Sequence, residues 1–209
     1  MRLSRLFLLA VPFAVLALAT TGAQADDTKA FLDPANWEGR SDLFKIEKGT
    51  IIGETTEDPK YNTFFCSKKK YGDFELRFKV KMRDGVGNSG VQVRSELYDK
   101  EKFRVRGPQA DTAKGYWGAI YGEGVGGYLL KSKVDNVGKD AEANDYIIVV
   151  KGNHITITVN GKVAQDVDFP ESKDKKPALA QGIIAFQVHG GYPKMRVEFS
   201  DIQFTELKK

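Results

Sequence analysis

From Asp73 to Met82 the chain alternates without a fault. Phe74, Leu76, Phe78, Val80 and Met82 fall on one side of the backbone, and Glu75, Arg77, Lys79 and Lys81 on the other. A period of two predicts a half-buried strand. Shorter runs of the same kind predict strands over residues 44–47, 50–53, 62–66, 91–97, 103–105, 116–121, 145–151, 154–159, 162–169 and 195–207. Asn160-Gly161 reads as a tight hairpin turn, because both residues accept positive φ. The last run changes phase at Ser200-Asp201, which predicts a bulge. Few windows carry the helical period. About a dozen short strands separated by turn signals predict an all-β sandwich or barrel.

Gly182 to Gly191 is the segment with most chemical content. At strand spacing Ile184, Phe186 and Val188 face one way, and Ala185, Gln187 and His189 the other. The first face suits a core. The second puts an amide beside an imidazole and runs into a Gly-Gly turn. It is either a solvated strand face or part of a site, and the chain has only two histidines.

Other polar positions share this two-sided character. Gly85-Val86-Gly87-Asn88-Ser89-Gly90 is a bend between strands rather than a phosphate loop, since no helix follows it. After it, Val91, Val93 and Leu97 are expected on one face and Gln92, Arg94 and Glu96 on the other. Arg94 and Glu96 form either a surface ion pair or a cleft wall. In a wall, the arginine would bind a carbonyl or hydroxyl and the glutamate would be an acid or base. Gln109 and Asp111 follow a Gly107-Pro108 bend at the same spacing. Trp117 and Tyr121 are either core aromatics or rings that stack on a sugar. The polar stretch from Lys131 to Asn144 is expected to be a loop over one mouth of a cleft, and residues 173–177 a second, charged loop.

Composition narrows the compartment and the chemistry. Arg2 and Arg5, the apolar run Leu6 to Ala19 and the small residues of Ala23-Gln24-Ala25 make a secretory signal. Cleavage after Ala25 and export to a periplasm are expected. The remaining 184 residues, enough for one domain, carry a formal charge of +2 once Arg2 and Arg5 leave a chain of +4. No second apolar segment could hold that mature chain in a membrane. Its lysines are scattered, which argues against nucleic acid as a partner. Cys66, the single cysteine, sits in an apolar run and is expected to be a small buried hydrophobe. Two histidines and one cysteine exclude a histidine-rich zinc site. A divalent cation held by oxygen ligands stays open.

Several motifs then occur in one order. These are Phe31-Leu32 with Trp37, Asp73-Phe74-Glu75-Leu76, Asn88-Ser89-Gly90-Val91 with Arg94, and Gln109-x-Asp111. Gly118-Ala119-Ile120-Tyr121, Asn160-Gly161 and Gln187-x-His189-Gly190 follow. Together they resemble the 3-keto-disaccharide hydrolase domain family over about residues 31–207. The resemblance implies a concanavalin-like jelly roll of two antiparallel sheets, with a carbohydrate site on the concave face. Asn88, Arg94, Gln109, Asp111, Tyr121, Gln187 and His189 would line it; Glu96 and Trp117 are candidate substrate contacts from the residue pattern alone. It also implies cleavage of glycosides oxidised at C3. That chemistry needs a base, an acid and an enolate partner, and the residues assigned here are His189 as base, Asp111 as acid, and Arg94 or a cation at the enolate. The alternative is a non-catalytic carbohydrate-binding module of the same fold.

Overall fold

The structure, a computed structural model, describes residues 26–127, 129–171 and 179–208. The predicted leader and the charged loop 173–177 lie outside them. Strands occur at β1 (Trp37–Glu38), β2 (Phe44–Glu47), β3 (Thr50–Glu54), β4 (Thr63–Ser67), β5 (Phe74–Met82), β6 (Gly90–Asp99) and β7 (Arg104–Asp111). They continue as β8 (Ile120–Glu123), β9 (Leu129–Leu130), β10 (Asn144–Lys151), β11 (His154–Val159), β12 (Lys162–Asp168), β13 (Ile183–Val188) and β14 (Arg196–Glu206). They form two seven-stranded sheets among the described residues. The first has the order β1-β4-β13-β6-β7-β8-β9 and the second β12-β11-β10-β5-β14-β3-β2. All pairings between these strands are antiparallel. The fold is an all-β jelly-roll sandwich.

The predicted alternation builds the interior. Phe74, Leu76, Phe78, Val80 and Met82 of β5 are all buried and meet Ile184, Phe186 and Val188 of β13 in one core. Asn160 and Gly161 both have positive φ in the β11–β12 turn, and β14 shifts register between Ser200 and Gln203. The predicted turn and bulge are therefore present.

Two local expectations fail. Gly107 and Pro108 do not bend the chain but lie inside β7. Pro108 sits opposite a bulge in β6, where the ladder is interrupted and a missing N–H costs little. Of the predicted strand 116–121 only Ile120 and Tyr121 are strand, and residues 116–118 are turn. Gly118 there adopts φ +72, and a Cβ on it would lie 2.5 Å from the Ala164 side chain.

The outer face of the first sheet, turned away from the core, is not simply wet. The β6–β7 hairpin folds back across β13 to reach β4: the Phe103 carbonyl accepts from the Phe64 N–H at 3.0 Å. The Lys102 carbonyl accepts from the Thr63 hydroxyl at 2.9 Å. Under this hairpin Phe64, Cys66, Val105, Ile183 and Ala185 make a second apolar cluster. Cys66 is fully buried there, and burial pushes its thiol pKa up, so it is an inert hydrophobe.

Candidate functional site

Beside that roofed cluster the same face opens into a pocket of about 290 Å³. This is the lower edge of the roughly 300–1,000 Å³ typical of ligand pockets. Strand register assembles it. Gln109 lies opposite Gln92 on one side and Tyr121 on the other, and Gly90 opposite Asp111. Ala185 is opposite Gln92, so Gln187, two residues on, shares the face. Asn88 arrives from the bend before β6 and His189 directly follows β13; both line the pocket.

A chain of buried amides runs beneath it. The Ser95 hydroxyl donates to Gln92 Oε1 at 2.6 Å, and Gln92 Nε2 donates to Gln109 Oε1 at 2.8 Å. Gln109 Nε2 then donates to Asp111 Oδ1 at 2.6 Å and to Gln187 Oε1 at 3.2 Å. Gln92, Gln109 and Gln187 are each no more than 2% exposed. Buried polar groups in such a medium must be paired, and these are paired with one another. Two glycines make room. A Cβ on Gly90 would lie 2.6 Å from the Gln109 side chain, and one on Gly107 would lie 2.3 Å from Ser95 Oγ.

Burial raises Asp111 from an ordinary carboxyl pKa of 3.8 to about 7; the Gln109 hydrogen bond pulls it down and nearby Glu123 pushes it up. Its backbone is pinned from the opposite sheet, where the Tyr146 hydroxyl donates to the Asp111 carbonyl at 2.8 Å. Glu123 lines the pocket too. Burial also raises its carboxyl, opposed by an Asn62 hydrogen bond and by the charges of His189 and Arg104. Asn62 donates to both Glu123 oxygens at 3.3–3.4 Å and accepts from the Gly190 N–H at 3.1 Å. It thereby ties the carboxylate to the turn that carries His189. His189 Nδ1 is 2.5 Å from the Gly190 carbonyl, so this nitrogen carries the proton and Nε2 is the basic one. Two carboxyls whose pKa values burial raises, one of them to about 7, lie beside an imidazole and can exchange protons in one small volume.

Arg94, Glu96 and Trp117 lie elsewhere. Between Gln92 and Ser95, β6 carries one residue more than its partner β13, and Arg94 takes φ +45. The extra residue reverses the phase of everything after it. Arg94 turns to the inner side, where its guanidinium binds the carbonyls of Gly72 and Gly152 and, at 2.6 Å, Asp73. Leu97 crosses to the outer cluster instead of sharing a face with Val91 and Val93. Glu96 is left at the exposed end of the strand, paired with Arg106 at 2.8 Å. Trp117, in the turn before β8, packs in the core beside Tyr146 and donates to Asp140 at 2.9 Å. The 131–143 loop packs there as well, with Gly138 against the Trp117 ring, and does not line the pocket.

The structure adds Asn62, Tyr116 and Glu123. Glu123 was within reach of pattern reading, since it lies two residues beyond Tyr121. Tyr116, 41% exposed, shares a turn with buried Trp117, and only the turn geometry separates them. Asn62 carried no signal. Among the described residues no group of three or more histidine, cysteine, aspartate or glutamate side chains could hold a metal ion. No described helix is long and apolar enough to cross a membrane.

A polar pocket with an aromatic wall on a jelly roll defines a carbohydrate-active domain. The model of the 3-keto-alpha-glucoside-1,2-lyase-like domain matches residues 25–205, and the chain belongs to that family. Among solved structures it is similar to a candidate glycosyl hydrolase from Parabacteroides distasonis, at 21% identity and a TM-score of 0.62 over 83% of this chain and 94% of that one. It is also similar to a carbohydrate-binding module, CBM66, from Bacillus subtilis, at 14% identity and a TM-score of 0.53 over 81% and 95%. A Bacillus licheniformis β-glucanase matches at 12% identity and a TM-score of 0.55 over 84% and 94%. At these identities the likenesses show the fold. No curated protein sequence matches.

Proposed function

We propose that this protein is an exported enzyme that cleaves glycosides already oxidised to a ketone at C3. A C3 ketone acidifies the C2 proton. A base removes it, the electrons collect on the C3 oxygen as an enolate, and their return expels the C1 substituent. An acid protonates the departing oxygen, and water then adds across C1 and C2, so that the net change is hydrolysis. His189, with Nε2 basic, takes the C2 proton. Asp111, still half protonated near pH 7, gives its proton to the departing C1 oxygen. Tyr116 and Tyr121 offer ring faces to the sugar's C–H surface, and Asn88 an amide to its hydroxyls. The leader-like pattern of residues 1–25 supports export to a periplasm.

The carrying observation is Asp111. A carboxyl buried in a polar pocket and held near 7 is set up for proton transfer, which simple sugar binding does not need. The carbohydrate-binding module among the similar folds keeps binding without cleavage as the second reading. The test is to incubate the protein with nitrophenyl 3-keto-glucoside and its unoxidised parent. Release of nitrophenol from the keto form alone is expected. Binding of either compound with no release from any 3-keto-glycoside overturns the enzyme in favour of the module.

A further inference from the structure

With Arg94 on the other side of the sheet, the arginine that the sequence suggested for the developing charge on the C3 oxygen is out of reach. We infer that Gln187 fills this role: the Ser95–Gln92–Gln109 amide chain forces it to present its N–H2 group to the pocket, where it donates to the ketone oxygen. This rests on the reading of the pocket as a 3-keto-glycoside site.

The polarity follows from one end. An ionised Asp111 can only accept, so the Gln109 group against Asp111 Oδ1 at 2.6 Å is its nitrogen. That sets Gln109 Oε1 toward Gln92, whose nitrogen donates to it at 2.8 Å, and Gln92 Oε1 toward the Ser95 hydroxyl. The second Gln109 proton points to Gln187, whose oxygen accepts it at 3.2 Å. The Gln187 oxygen is thereby occupied, and its nitrogen is the end left over. No described group accepts from that nitrogen, and it is not among the buried unpaired atoms, so it opens onto the pocket it lines. The Gln187 main chain is held as well, since its carbonyl accepts from the Ser89 hydroxyl at 2.7 Å.

The same chain orients Asp111. Its Oδ1 is engaged by Gln109, so the proton of its acid form resides on Oδ2. The wall therefore offers an amide N–H and, in the acid form, a carboxyl O–H. Such a donor wall favours a carbonyl oxygen, which only accepts, over a hydroxyl at the same carbon. It strengthens its hold as that oxygen becomes an enolate. Ser95, Gln92 and Gln109 are positioning residues that touch no substrate.

Two arms test this, and the first needs no substrate. Hydrogen exchange of side-chain amides, followed by nitrogen-15 NMR, should show the Gln187 pair exchanging at least about tenfold faster than the doubly bonded Gln109 pair. A slowly exchanging Gln187 amide overturns the polarity whatever the pocket binds. The second arm compares turnover of the 3-keto-glycoside. Gln187→Glu, close in size but without the donor, should lower kcat by roughly 100-fold or more. Its binding of the unoxidised parent should weaken far less than its kcat falls, since that hydroxyl can donate as well as accept. Gln187→Met makes the same test if the glutamate variant does not fold. Gln109→Glu, which frees Gln187 to rotate, should lower kcat and move the alkaline limb of its pH profile. Wild-type kcat in both Gln187 variants overturns the inference. If the wild type cleaves no 3-keto-glycoside, the enzyme reading fails by itself, and the exchange arm still decides how Gln187 is held.

Discussion

The two sheets each have an outer face, and the two histidines divide between them. On the second sheet His154 lies between Asp166 and Asp168, each 2.8 Å from a ring nitrogen and all three side chains largely in solvent. Around it run further exposed pairs, such as Lys79 with Asp201 and Arg77 with Glu75. On the first sheet the polar groups are amides and carboxyls, buried beside a hairpin roof. The same residue types differ in chemistry because of solvent. In water a charge pair is screened and each ion keeps its hydration. Beside the roof, the Asp111 carboxyl loses hydration and its pKa climbs to about 7. Chemistry goes where the sheet is covered but not filled.

Removing the imidazole from each face should expose that difference most. His189→Ala is expected to lower cleavage of a 3-keto-glycoside by roughly 100- to 10,000-fold, the usual contribution of a general base. It should leave the circular dichroism spectrum unchanged, because His189 follows β13 and fills no core space. His154→Ala should leave turnover at the wild-type value. Equal losses in the two variants would erase the contrast between the faces.

Arg94 sharpens the comparison by being buried and charged yet outside the pocket. Arg94→Gln should destabilise the fold by about 3 kcal/mol in urea unfolding, since Asp73 and two carbonyls lose their partner. Sugar binding by the folded variant should stay within about threefold of wild type. A stable Arg94→Gln protein without sugar affinity would return the arginine to the site.

Acid titration should separate the faces next. Asp111 binds its proton more tightly folded than unfolded, with a pKa near 7 against an ordinary 3.8. Its stabilising contribution is complete below about pH 4 and lost as pH rises through 7. Asp111→Asn should therefore flatten thermal stability between pH 4 and 8 and raise Tm by a few degrees at pH 8. Wild-type turnover should fall above pH 7 as the acid is lost. An unchanged pH–stability curve in Asp111→Asn would mean that burial does not shift this carboxyl.

The smallest effect belongs to the exposed histidine. Its two aspartates raise the His154 pKa, so this cluster stabilises below the ordinary imidazole value of 6.5, and the gain is lost as pH rises through the raised one. His154→Ala should cost less than about 1 kcal/mol at pH 6 and still less at pH 9. A larger loss would show that the second outer face does more than stay solvated.

By itself the sequence determined the sandwich, because a period of two over β5, β10, β11 and β14 leaves one apolar face per strand to bury. It also determined the Asn160-Gly161 turn, the β14 bulge, the inert Cys66 and the family likeness. It placed Gln109, Asp111, Tyr121, Gln187 and His189 near polar faces. Only tertiary structure decided which of those faces became a pocket. One extra residue in β6 sent Arg94 to the far side, and no alternation pattern marks where a bulge reverses its own phase. A turn rather than a strand separated Trp117 from Tyr116. Asn62, just before β4, met Glu123 at the end of β8, although three strands stand between β4 and β8 in the sheet. Asp111 is buried where β7 pairs with β6 and where Gln109 and Tyr146 hold it, and the pKa of a carboxyl depends on such surroundings, which spacing along the chain does not encode.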